Sequence, residues 1–208
     1  MYVLSIISFL LWAGFLLLAA MRFGIPDMVS DVYYQLQGCT GSEVIGDKRK
    51  RNYGWVFTLV MFASALLMLV SLLDSGKGIQ FLAFLGCAGL MFVGFVPRYL
   101  DSSEHIIHKT AAITAAIGCV GWCSSVNLVP TILLAIAVLI IYFPPAKKPK
   151  SVGYYWAEVA AFLDVYLTYW ILRYERFIQI KQARLDWSCL LAAGKYIDRS
   201  DCFAYNDR

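Results

Sequence analysis

The sequence predicts an all-α membrane protein, a polytopic bundle of six embedded helices, with five spans plus an interfacial helix as the alternative. Three observations carry this reading. Of 208 residues, 60% are hydrophobic and 15% charged, where a soluble domain has about 45–50% and about 25%. Apolar runs long enough for a span recur along the chain, divided by turn signals. The basic residues are bunched between these runs rather than spread over them.

The first run, 2–21, holds no charge over 20 residues, enough at about 1.5 Å per residue for a core about 30 Å thick. It lacks a basic start and a clean small-x-small cleavage site, so it is expected to stay as a span. The second run, 53–73, opens on Tyr53 and Trp55 and stops at Asp74-Ser75-Gly76-Lys77-Gly78. The third, 79–96, ends at Pro97-Arg98, and so short a turn makes the two an antiparallel hairpin. Asp101 and Glu104 have capping-box spacing and start a fourth helix over 102–124, with His105 and His108 in its first two turns. Asn127 and Pro130 turn the chain into a fifth, 128–143, which Pro144-Pro145 ends. The sixth segment, 154–172, carries Glu158 and Asp164, each costing about 2.5–3.5 kcal/mol at mid-membrane. Its aromatic ends (Tyr154, Tyr155, Trp156; Tyr169, Trp170) are nevertheless those of a spanning helix. Residues 1–172 therefore form the transmembrane domain and 173–208 a polar tail, expected to continue as a surface helix.

Lys and Arg orient the bundle. The first loop carries Arg22 and Lys48-Arg49-Lys50-Arg51, the third Arg98 and Lys109, and the fifth three lysines, against Lys77 alone in the second and none in the fourth. The odd loops are thus expected to be cytoplasmic and the N-terminus outside. In a six-span chain the basic residues of the tail fall on the wrong side. A sixth helix lying along the interface would remove that conflict. The net charge of +4 comes with no groove-reading motif, so no nucleic-acid partner is expected. The six cysteines show no metal or redox spacing, and Cys87 and Cys119 in apolar runs act as small hydrophobes.

Five polar residues form the candidate buried site: Glu104, His105, His108, Glu158 and Asp164. Ionisable groups inside a span are functional candidates by default. Glu104 with His105 and His108 reads first as helix capping and headgroup hydrogen bonding. The alternatives are a proton-handling site and a metal site, and a third strong ligand is missing. On the sixth helix Ala157, Ala160, Ala161, Asp164 and Thr168 share a face, as do His105, His108, Ala112, Ala115 and Cys119 on the fourth. Small residues permit close approach, so these helices are expected to touch, with Glu158 beside His108 or His105. Asp164 is then either protonated on a hydroxyl such as Ser64 or Thr58, or in contact with water. No catalytic residue, cofactor or resident metal is expected.

In the first loop, 25–34 reads Ile-Pro-Asp-Met-Val-Ser-Asp-Val-Tyr-Tyr, where Ser30 is placed to cap a short helix and Tyr33 and Tyr34 to anchor it at the interface. This element and the Glu104-His105-x-x-His108 turn resemble those of uncharacterised six-span bacterial and phage membrane proteins, with a distant similarity to Frag1/DRAM-like membrane proteins. Val29 replaces the isoleucine usual in the element. The resemblance implies the six-span layout but no activity. Separately, a cell-membrane location, in a bacterial inner membrane, is expected, with the lipid bilayer and a homo-oligomer or membrane complex as partners.

The leading function class is a non-enzymatic translocator or membrane-interacting module. A second is an intramembrane metal hydrolase similar to the alkaline ceramidases, which use three histidines with Ser and Asp. Here His105, His108, Ser30 and Asp31 are on offer, without a third histidine. A third class is a structural or assembly subunit.

Overall fold

The computed structural model describes residues 2–37, 53–97, 102–142 and 152–192. Every regular element among them is a helix: α1 Tyr2–Phe23, α2 Asp31–Gln37, α3 Gly54–Ser75, α4 Gln80–Phe95, α5 Ser102–Val126, α6 Leu128–Tyr142 and α7 Val152–Ala192. Three helices are long and apolar enough to cross a bilayer, namely α1, α3 and the Glu104–Val126 part of α5. Two more, α4 and Leu128–Ile140 of α6, are apolar but shorter. The 16 residues of α4 rise about 24 Å, less than a hydrocarbon core of about 30 Å. The expected helix bounds hold to within a few residues through α6. The last helix runs on to Ala192, as expected of a tail that continues as a helix, and no Gly or Pro between Arg173 and Ala192 interrupts it.

By contacts the chain divides into Met1–Tyr169 and Trp170–Arg208. The described part of the second unit is helical and exposes Tyr174, Phe177, Ile178 and Ile180. The first unit holds α1 to α6 and the first part of α7.

Its polarity is reversed relative to a soluble bundle, whose outward helix faces are charged. Leu10, Leu17, Phe81, Phe92, Ile117, Leu133 and Ile140 point outward, whereas Ser5, Ser8, Ser64, Ser71, Ser75 and Thr168 are buried. Most of these inward hydroxyls bond to a carbonyl of the preceding turn, as Ser64 Oγ does to Met61 O and Ser75 Oγ to Leu72 O. Ser8 reaches further. Its Oγ donates to Ser64 O of α3 at 2.7 Å and lies 2.8 Å from Tyr166 Oη of α7, which therefore donates to it. One hydroxyl thus ties three helices. Next to it Trp12 is buried, its ring 4.7 Å from that of Phe162 and 6.0 Å from that of Tyr166.

The α3–α4 turn is built on two glycines with left-handed backbone, Gly76 (φ 61°) and Gly78 (φ 67°). Gly76 caps α3 by donating to Leu73 O. The turn then latches to the end of α5, where Trp122 Nε1 donates to Lys77 O and Ser125 Oγ accepts from Ile79 N. A Cβ on Gly78 would meet Ser125 Oγ at 2.7 Å, so the latch also needs the glycine.

A close backbone approach joins α4 to α5. A Cβ on Gly86 would lie 2.7 Å from the backbone nitrogen of Cys119, and one on Gly89 2.7 Å from that of Ala115. Gly118 faces the backbone of Gly86 in return. The fourth and sixth helices, expected to touch along alanine stripes, come together at Asp164 of α7 beside Cys123 of α5. Their alanines line a space between them instead of making the close contact, which the glycines make one helix earlier in the chain.

Candidate functional site

The alanines line a cavity. Ala112, Ala115 and Ala116 of α5 stand on one wall and Ala161 of α7 on another. Phe57 and Met61 of α3, Leu90 and Val93 of α4, and Phe162 and Val165 of α7 complete the apolar lining. The volume is about 100 Å³. Side chains cut back to a methyl group leave space that the larger residues around them do not close. Three polar residues border it: Ser30 from the loop before α2, His108 from α5 and Glu158 from α7.

Two of these, His108 and Glu158, are held by backbone groups. His108 is buried, and its Nδ1 lies 2.6 Å from Val96 O at the end of α4. A carbonyl only accepts, so Nδ1 carries the proton, and a neutral ring in this tautomer has its lone pair on Nε2. The bond also satisfies a carbonyl that the helix terminus leaves without an intrahelical partner. Glu158 Oε2 accepts from Val29 N at 2.6 Å. Asp31 Oδ2 accepts from Met28 N at 2.9 Å, reaching back over the first turn of α2.

These bonds revise the expected roles of the first loop. The exposed donors before α2 are satisfied by Asp31 and Glu158, while Ser30 Oγ makes no hydrogen bond among the described residues. Ser30 is nevertheless only 5% exposed and borders the cavity. Tyr33 is not an interfacial anchor either. It is buried against Phe57, with ring centroids 6.3 Å apart, and its hydroxyl accepts from Gln37 Nε2. Gly54 lies against that ring, where a Cβ would meet Tyr33 Cε2 at 2.5 Å.

The candidate site residues do not form one cluster. Glu158 and His108 share the cavity, but Glu158 bonds to Val29 rather than to either histidine. His105 is exposed, and Glu104 is half-buried in the first turn of α5. The proposed capping partner Asp101 lies outside the described residues. Asp164 is 3% exposed and faces protein. It accepts a long 3.4 Å bond from Thr168 Oγ1 of its own helix, with Cys123 of α5 and Thr131 of α6 beside it. Thr131 Oγ1 is enclosed there without a hydrogen bond of normal geometry. Neither Ser64 nor Thr58 serves Asp164, since Ser64 Oγ is taken by Met61 O.

Among the described residues no three His, Cys, Asp or Glu side chains stand where they could share a metal ion. The buried thiols of Cys87, Cys119 and Cys123 are free. The arrangement can therefore accept and donate hydrogen bonds at one edge of an apolar cavity. Val29 N–H and Ser8 Oγ are the groups that sequence reasoning missed. A backbone donor has no residue signature, and a serine in an apolar helix does not announce which neighbour it will meet. No protein-family model, no curated protein and no solved structure matches the chain.

Proposed function

We propose that the chain is a multi-pass membrane protein of six embedded helices that works as a non-enzymatic binding or translocating module, with the cavity between α3, α4, α5 and α7 as its working site. The observation that carries this is the convergence of Ser30, His108 and Glu158 from three separate elements on one otherwise apolar space. An acid in a span is costly, and a chain using Glu158 only to cap the loop before α2 has no need of a cavity beside it. The outward apolar faces and inward hydroxyls support membrane embedding. The excess of Lys and Arg in the odd loops supports an outside N-terminus.

The test is flux and co-purification. Purified protein in proteoliposomes should pass, or in nanodiscs should retain, a small molecule that Ala161→Leu excludes by filling the cavity. Equal flux and equal retention in wild type and Ala161→Leu would favour the assembly-subunit reading. The ceramidase-like hydrolase is kept as a second reading because Ser30 and His108 do share one cavity. It requires a metal, and purified protein is expected to contain no stoichiometric zinc. One equivalent by elemental analysis, lost on His108→Ala, would promote the hydrolase.

A further inference from the structure

Ser30 is the residue that the architecture of the first loop leaves unexplained. It occupies the capping position before α2, yet its hydroxyl caps nothing, because the N–H groups of Val32 and Tyr33 bond to the carbonyls of Val29 and Ser30 instead. It is 95% buried by its 5% exposure and borders the cavity without a hydrogen-bond partner among the described residues. A hydroxyl at the edge of an apolar cavity gains from finding a partner there. Glu158 presents a matching case. Oε2 is engaged by Val29, and no bond to Oε1 is formed among the described residues. Two oxygens on separate elements are thus left for an occupant of the same cavity.

Resting on the binding-module reading above, we propose that the cavity takes a small amphiphile with a primary amine head and an aliphatic body, the head hydrogen-bonded by Glu158 and Ser30. An ammonium has three donors and no acceptor, which suits a carboxylate oxygen and a hydroxyl. No Lys or Arg lines the cavity to receive an anionic head. The pairing moves one proton from a neutral carboxyl to a neutral amine, or none when both enter charged, and either way leaves no net charge in the apolar surroundings. The size follows from the volume. A cavity of about 100 Å³ is about two thirds of the roughly 150 Å³ apolar cavity that holds the six carbons of benzene, so an amine nitrogen with a chain of about three carbons fits.

The probe is n-propylamine, with 1-propanol and propanoate as equally long comparisons, measured by equilibrium binding to the full chain in nanodiscs after subtraction of empty discs. Propylamine should bind saturably at about one per chain, at least tenfold more tightly than either comparison. Glu158→Gln keeps an amide oxygen to accept from Val29 N–H, so it should fold and bind propylamine at least tenfold more weakly. Ser30→Ala should weaken it severalfold, and Ala161→Leu should abolish it. Preference for propanol or propanoate, or unchanged propylamine affinity in both Glu158→Gln and Ser30→Ala, overturns the amine assignment and leaves the binding module standing. Binding of no probe above empty discs, with flux and retention also unaffected by Ala161→Leu, overturns both.

Discussion

At Asp164 an acid sits buried among protein groups, yet its best bond is the long one from Thr168. An amide preserves that bond and loses little, so Asp164→Asn should leave the unfolding midpoint nearly unchanged. Asp164→Leu removes the acceptor for Thr168 and should lower stability by about 1–2 kcal/mol, as read by thermal unfolding in detergent. The three-helix tie at Ser8 gives a second residue-scale expectation. Interhelical hydrogen bonds in membranes contribute about 0.6 kcal/mol on average. Tyr166→Phe should therefore cost about that much. Ser8→Ala removes both bonds and should cost about twice as much, leaving the double variant no worse than Ser8→Ala. Additive losses would show that the two hydroxyls act separately. None of this was readable from composition: Glu158 and Asp164 stood out as acids in an apolar run, but Ser8 is one serine among many.

At the scale of helices, glycine decides who packs with whom. A methyl group on Gly118 would press on the backbone of Gly86, which cannot rotate away. Gly118→Ala should destabilise by about 1–3 kcal/mol through overpacking. Gly14, in the middle of α1, has open space around its would-be Cβ, and Gly14→Ala should stabilise by about 0.5–1 kcal/mol because alanine loses less backbone freedom. Opposite signs for the same chemical change, measured side by side, check the α4–α5 contact. Ala161→Leu belongs here too. Two touching alanine stripes would make it a wedge, whereas the cavity gives leucine room, so the variant should fold. Periodicity could place the alanines on one face of each helix. It could not say whether that face met a neighbour or a void, because both look the same along one chain.

For the whole molecule the test is sidedness. A cysteine introduced at Lys48–Arg51 should resist labelling from outside the cell, and labelling there would reverse the proposed orientation. The reversed polarity of the first unit explains why so much of its layout was legible. A bilayer forces each span to be apolar along most of its length and to satisfy its backbone internally. Helix number and approximate bounds are therefore written into composition and turn residues, and α1 to α6 follow them closely. The last helix continues past the change in polarity at Arg173, as the absence of any breaker before Gly194 allows.

Local forces acting within a dozen residues thus sufficed for the helices, for the glycine turn at 76–78 and for flagging Glu158, Asp164 and His108 as costly. Only the tertiary structure decided what those side chains do. Glu158 turns to a backbone N–H contributed 129 positions away, His108 to a carbonyl on the preceding helix, and Asp164 to its own helix and two neighbours. The physical reason is that a buried polar group must find a partner, and the partner nearest in space is set by how helices pack. In this protein that packing depends on a few glycines and on the alanines that stop short of filling the space between them.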